Sequence, residues 1–218
     1  MKGFGEKHKN PREKKFNSGE QTIKDQIISK AFKVHSQGNI QEAKKYYENF
    51  INKGFLDHRV FGNYGMILLN IGELKKAEIF THKAIELNPN YAMAYSNLGG
   101  ILKDLGKLQE AELSQRKAIK LNPNSAMAYS NLGGILKDLG KLQEAELSTR
   151  KAIKLDPNYA MAYSNLGGIL KDLGKLQEAE LSQRKAIELK PNFAEAHYSM
   201  GNILRDLGEL KKAELSQR

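Results

Sequence analysis

Residues 95–114 read YSNLGGILKDLGKLQEAELS, and the same string returns at 129–148 and at 163–182. The step from Tyr95 to Tyr129 to Tyr163 is 34 residues. Working outward, Gly38, Gly72, Gly106, Gly140, Gly174 and Gly208 keep this period, as do Ala43, Ala77, Ala111, Ala145, Ala179 and Ala213. The chain therefore divides into units 24–57, 58–91, 92–125, 126–159 and 160–193, with an incomplete unit at 194–218 and a basic segment at 1–23. Such a period marks a stacked repeat architecture, in which each unit buries its apolar face against its neighbours. Units 92–125 and 126–159 differ only at Gln115/Thr149, Asn122/Asp156 and Ser125/Tyr159. That closeness indicates recent duplication, so identity between copies is not in itself a sign of function.

Each unit reads as two helices. In 92–125, Tyr95, Leu98, Ile101, Leu102 and Leu105 fall at steps of three and four, the spacing of one helical face. Gly106 is suited to the left-handed residue that ends a helix. A second helix follows with Leu108, Ala111, Ala118 and Ile119 inward, and Asn122-Pro123-Asn124 stops it, because proline cannot donate and restricts the residue before it. Glu112/Arg116, Glu146/Arg150 and Glu180/Arg184 are i,i+4 pairs on solvated faces. Gly99, Gly133 and Gly167 lack a side chain where the two helices would cross, and Ala111 and Ala118 do the same on the second helix, so the axes can approach closely.

The pattern Tyr95-x-x-Leu98-Gly99-x-x-Leu102, then Ala111, Ala118 and Pro123, resembles the tetratricopeptide repeat (TPR). The resemblance covers 24–218 and recurs in every unit. It implies an all-α fold, an α-α superhelix built as a right-handed solenoid of helix hairpins, with the first helix of each pair lining a concave groove. Pentatricopeptide units, which read RNA, run one residue longer, and the unbroken period argues against them. Two departures stand out. Gln115, Thr149, Gln183 and Gln217 occupy a position where the family carries a bulky apolar residue, while Leu113, Leu147 and Leu181 lie two residues earlier. A small helix rotation or a re-packed interface is expected there. The first unit has Phe55 where others have Pro and Phe50 where they have Ala, which suggests a non-standard cap.

Composition bounds the function. The chain has 218 residues, 40% apolar and 28% charged, the balance of a folded protein. With no Cys there is no disulfide framework, thiolate metal site or Cys nucleophile, and a reducing, cytoplasmic location is expected. No apolar run approaches the roughly 18 residues of a membrane span, so no membrane partner is expected. The basic segment 1–23 lacks the apolar stretch of a secretory signal and reads as a mobile tail. At the other end, Arg218 falls mid-way through a second helix, so the natural product is expected to continue or the sequence to be a fragment. The uncapped last unit leaves self-association open.

No catalytic set emerges. His8, His35, His58, His82 and His197 show no metal-ligand spacing, and no cofactor is expected. Gly99-Gly100 and Gly106-Lys107 echo a phosphate loop only faintly, since Leu108 stands where Ser or Thr must bind Mg²⁺. Serines recur without a base at a meaningful offset. The chain is therefore read as non-enzymatic.

The groove is more informative. If the stripe residues pack, the intervening ones face the concave side. Those are Met93, Ser96, Asn97, Gly100, Lys103 and Asp104; then Met127, Ser130, Asn131, Gly134, Lys137 and Asp138; then Met161, Ser164, Asn165, Gly168, Lys171 and Asp172. Asn63, Asn97, Asn131 and Asn165 make a ladder of carboxamides that lapses at Ser199. An amide both donates and accepts, so it pairs with a peptide backbone whatever the side chain. The ladder is similar to one in the TPR superhelix of O-linked N-acetylglucosamine transferase, where the resemblance implies that it holds extended peptide. The alternative is that each Asn simply holds the adjacent helix. A glycine inside a helix costs about 0.5–1 kcal/mol relative to Ala. At Gly100, Gly134 and Gly168 either a ligand backbone or the neighbouring first helix must come close, and packing is the expected reason. The methionines are either an adaptable rim or filler.

Three functions follow from different classes. The first is an interaction scaffold that holds an extended peptide or a partner helix in the groove. The second is a substrate-recruiting arm of a larger enzyme such as a glycosyltransferase, motivated by the abrupt end. The third, nucleic-acid binding through the net charge of +10, is not expected, because the bases are interleaved with acids and the tyrosines belong to the packing stripe.

Overall fold

The computed structural model describes residues 18–216, with side chains over 19–208. The segment 1–17, Gln217 and Arg218 lie outside the described residues. Helices are α1 (Ser18–Ser36), α2 (Ile40–Asn52), α3 (His58–Asn70), α4 (Leu74–Leu87), α5 (Ala92–Asp104), α6 (Leu108–Leu121), α7 (Ala126–Asp138), α8 (Leu142–Leu155), α9 (Ala160–Asp172), α10 (Leu176–Leu189) and α11 (Ala194–Ser216). No strand occurs among the described residues, and the fold is the all-α helix-hairpin class.

The chain forms two compact units, one ending at Leu56 and one beginning at Asp57. In the first, α1 and α2 make a hairpin. Helix α1 begins at Ser18, so the last residues of the segment expected to be a tail are helical, with Gln21 Nε2 donating to the Asp25 carboxylate at 3.1 and 3.2 Å. Phe50 and Phe55, the two departures of this unit, are both buried, with ring centroids 5.4 Å apart.

The second unit is a stack. Each first helix packs on its own second helix, and that second helix packs on the next first helix: α3 on α4, α4 on α5, and so on to α11. First helices also meet in sequence, α3 with α5, α5 with α7, α7 with α9 and α9 with α11. The hairpin turn is the same each time. Gly106 adopts φ 75°, its N–H reaches the Lys103 carbonyl at 2.9 Å, and the Lys107 N–H reaches the Leu102 carbonyl at 2.8 Å. This left-handed cap satisfies carbonyls that the helix end would leave open. Between repeats, the Asn124 N–H bonds the Asn122 carboxamide oxygen at 3.2 Å, closing the turn around Pro123.

The core is correspondingly segmented. Leu98, Leu102, Ala111 and Ile135 form one buried cluster, with Ile85 and Leu139 packed against it. Leu132, Leu136, Ala145 and Ile169 form its counterpart, with Ile119 and Leu173 against it. Each cluster joins a hairpin to the neighbouring helices, as a unit that cannot bury its own stripe requires.

One expectation fails at the last unit. Gly208 was the expected turn, yet α11 runs through it without a break. Ile71-Gly72-Glu73 turns, whereas Leu207-Gly208-Glu209 stays helical, so local sequence permits both. The difference lies in packing. Helix α4 packs on both α3 and α5, whereas among the described residues α11 packs on α9 and α10. Continuing the hydrogen-bonded ladder through Gly208 costs the helix penalty of one glycine, about 1 kcal/mol.

Candidate functional site

The crossing of the two helices in each hairpin sets how the first helix is presented. Gln115 is fully buried against Gly99, with Nε2 donating to the Ser96 carbonyl at 2.7 Å, and Gln183 repeats this against Gly167, donating to the Ser164 carbonyl at 3.0 Å. Thr149 sits against Gly133 and Thr81 against Gly65. Of the two alternatives expected here, these contacts fit the re-packed interface. The polar side chain takes the crossing position at 0% exposure, and Leu113 stays outside at 68%. Glycine opposite leaves room for the longer Gln, and the bond to a helix carbonyl offsets part of its desolvation.

With the hairpins so fixed, the first helices enclose an open hollow of about 370 Å³. It is lined by Ser96, Asn97, Gly100, Lys103 and Asp104 of α5, Met127, Asn131 and Gly134 of α7, and Met161 and Asn165 of α9. The groove reading singled out all ten. Met66, Leu69, Ile135, Tyr159 and Glu195 complete the lining, and the sequence reading missed them. Leu69 and Glu195 were legible, since they occupy the repeat positions of Lys103 and Met161. Asn63, Met93, Ser130, Ser164, Gly168, Lys137, Lys171, Asp138 and Asp172 are not among the lining residues. Met93 stands apart, its sulfur accepting from the Tyr91 hydroxyl at 3.5 Å.

The asparagine ladder does two jobs. Asn165 Nδ2 donates to Ser130 Oγ at 3.0 Å, and Asn131 Nδ2 reaches Ser96 Oγ at 3.5 Å. These two rungs clip consecutive first helices together through the serines, which are buried. Asn97 differs because Gly62 stands where a serine would meet it. It is 5% exposed, lines the hollow and makes no hydrogen bond among the described residues. Its amide atoms are not sealed in the core as Gln115 Oε1 and Thr81 Oγ1 are, but reach the hollow, where they can pair with whatever lies there.

The intrahelical glycines are not packing sites, contrary to expectation. A Cβ on Gly100 would meet nothing within 4 Å. On Gly134 it would meet only Lys103 Nζ at 3.7 Å, and on Gly168 only the Lys137 side chain, Nζ at 3.4 Å.

Charge in the hollow runs opposite to the chain as a whole. Lys103, Lys137 and Lys171 each reach the aspartate of the next first helix, Asp138 at 3.4 Å, Asp172 at 3.6 Å and Asp206 at 3.3 Å. Asp104 has Leu69 in the position from which a lysine would reach it, and it has no ion pair among the described residues. Glu195 adds a second uncompensated carboxylate. Burial pushes the Tyr159 phenol up, aided by Asp156, so it stays a neutral donor. Among the described residues no group of three or more His, Asp or Glu side chains could hold a metal ion. No described helix is long and apolar enough to cross a membrane.

Comparison with known proteins agrees with this architecture. Models of the tetratricopeptide repeat match residues 58–91, 92–125 and 126–159, with further matches at 149–180 and 167–208. No curated protein matches. Among solved structures, MamA is 25% identical, with 75% of this chain and 96% of that one covered at a TM-score of 0.61. TTC0263, a thermophilic TPR protein in Thermus thermophilus, is 19% identical, covering 83% and 98% at 0.70. The first TPR of Spaghetti (RPAP3), bound to the HSP90 peptide SRMEEVD, is 28% identical, covering 54% and 93% at 0.51.

Proposed function

Since the chain belongs to the tetratricopeptide repeat family, we propose that it is a non-catalytic interaction scaffold whose hollow on the first helices holds an extended segment of a partner protein. The single observation that carries this is Asn97, a buried carboxamide with no protein partner, facing a hollow floored by Gly100 and Gly134. An amide that both donates and accepts matches the peptide group of an extended chain, and a floor without Cβ atoms lets that chain approach the helix backbone. The uncompensated carboxylates of Asp104 and Glu195 favour a neutral to basic segment over an acidic one. In this respect the hollow differs from the acidic peptide held by the RPAP3 repeat. Met127 and Met161 supply adaptable apolar contact.

The test is a binding titration with peptides selected against the intact chain from a random library. Changing Asn97, Asn131 and Asn165 together to Ala is expected to weaken binding at least about tenfold while the circular dichroism stays helical. Unchanged affinity in a folded triple variant refutes the assignment. Because Asn131 and Asn165 also clip helices, Asn97→Ala alone is the companion variant, with no structural bond to lose.

A further inference from the structure

The outward faces of the second helices carry a feature that the hollow does not use. Ile79 of α4, Leu113 of α6, Leu147 of α8 and Leu181 of α10 recur one repeat apart, and all four are 64–71% exposed. Single exposed leucines are ordinary, but a row of four large apolar side chains on neighbouring helices is not. Duplication explains the three leucines and not the row. In the divergent unit 58–91, Phe80, Thr81 and His82 stand where the next unit has Ser114, Gln115 and Arg116, yet position 79 remains large and apolar.

Ion pairs show that these faces adjoin. Arg116, one turn after Leu113, bonds Glu144, one turn before Leu147, at 2.9 Å, and Arg150 bonds Glu178 at 2.9 Å in the same way. Glu144 and Glu178 are thus already neutralised by arginines of the preceding repeat, whereas Glu110, which has His82 in that place, has no ion pair among the described residues. The lysines one and two turns beyond Leu113 and Leu147 are not neutralised. Lys117, Lys120, Lys151 and Lys154 have no ion pair among the described residues. On the flanking helices the matching lysines are satisfied, Lys83 by Glu86 at 2.8 Å and Lys185 by Glu188 at 2.6 Å. At these two positions the unpaired lysines are therefore those of α6 and α8, beside the two central leucines, with Lys117 Nζ also 5.8 Å from the Tyr95 ring centroid; Lys75, one turn before Ile79 on α4, is a further lysine without an ion pair among the described residues.

We propose that this outer face is a second binding surface, taking an acidic amphipathic segment of a partner protein, its apolar side on Leu113 and Leu147 and its carboxylates on the four lysines. Charge selects this occupant. A second copy of the chain would bring lysines to lysines and no free carboxylate row. An anionic lipid surface is the alternative that the vesicle measurement below separates. The patch lies on helices other than those lining the hollow, so two partners can be held at once.

The probe is a fluorescein-labelled helical peptide roughly three heptads long, leucine on one side and glutamate on the other, titrated into the intact chain by anisotropy. Leu113→Ser with Leu147→Ser is expected to weaken binding at least about tenfold, and Lys117→Glu with Lys151→Glu likewise. The second pair is expected to regain affinity for a peptide whose glutamates are replaced by lysine. The Asn97/Asn131/Asn165 alanine variant is expected to bind the acidic probe as the parent does, which separates this surface from the hollow. The proposal is overturned if the probe does not bind, or if the hollow variant alone reduces its binding. It is also overturned if the outer-face variants instead abolish self-association or binding to phosphatidylserine vesicles while leaving the peptide unaffected. The altered outer-face side chains are exposed, so unchanged helical dichroism and melting temperature will show that their fold is intact.

Discussion

Gly99 and Gly100 are neighbours in one helix, and replacing each in turn by alanine should move stability in opposite directions. At Gly100 the new Cβ meets nothing within 4 Å. The substitution then only removes the entropy that glycine loses in a helix, a gain of about 0.5–1 kcal/mol. At Gly99 the same gain is available, but the Cβ would lie 2.5 Å from Gln115 Nε2, 2.8 Å from its Cγ and 2.9 Å from its Cδ. The Gln cannot yield by a terminal rotation alone, since Cγ is involved. Moving it breaks the 2.7 Å bond to the Ser96 carbonyl in a fully buried place. Overpacking costs about 1–3 kcal/mol and a lost buried bond a similar amount. Set against the propensity gain, Gly99→Ala should destabilise by about 1–5 kcal/mol. In a domain of this size each kcal/mol shifts the melting temperature by about 2–4 °C. Thermal melts and urea titrations followed by helical dichroism should therefore rank Gly100→Ala above the parent and Gly99→Ala clearly below it. If Gly99→Ala were as stable as Gly100→Ala, the crossing of α5 and α6 would not be packed as described, and the account of the buried Gln would fall with it.

Other consequences are open to equally plain tests. Gln115→Met keeps an unbranched side chain and removes Oε1, which is buried without a partner, but also removes the Nε2 bond to the Ser96 carbonyl; the two effects oppose, so stability should change by no more than about 1 kcal/mol, read by urea titration. Gln115→Glu places a charge there and should destabilise by more than about 2 kcal/mol at neutral pH, less as the solution is acidified. Lys141, hydrogen-bonded to Glu112, and then Arg116 hold the Glu112 carboxyl below its ordinary value, and Lys175 and Arg150 do the same for Glu146. Their folded-state values are depressed, so their stabilising contribution is fully present above the ordinary glutamate range and is lost as pH falls through the depressed values. Melting temperature should decline through that acid window, and the double variant Glu112→Gln, Glu146→Gln should show a smaller decline from a lower starting point. Gly100→Ala with Gly134→Ala should stabilise the fold yet weaken an extended peptide, a separation that titration calorimetry beside a thermal melt will show.

The repeat, the helix pairs, the turn glycines and most of the hollow were legible because they depend on local spacing and on one unit copied in register. The rest was not, and each miss has a physical cause. Gln115 and Leu113 lie two residues apart, on opposite faces of one helix, and hydrophobicity alone assigns the inside to leucine; the opposing Gly99 and the Ser96 carbonyl reverse that choice. Gly208 carries the turn signature, but a turn forms only when two packed helices reward it. The ladder asparagines look identical along the chain, and their roles separate only where the residue one repeat earlier differs, Gly62 beside Asn97 against Ser96 and Ser130 beside Asn131 and Asn165. The acidity of the hollow within a chain of net charge +10 arises the same way, from Leu69 in the place of a lysine.

The central claim is that the hollow on the first helices is where a partner segment lies. Methionine methyl resonances report on it directly, because Met66, Met127 and Met161 line the hollow while Met200 does not. With the methyl groups isotopically labelled, titration of a selected neutral-to-basic peptide should shift Met66, Met127 and Met161 in step with occupancy and leave Met200 in place. A peptide that saturates the chain and moves none of those three resonances would contradict the account.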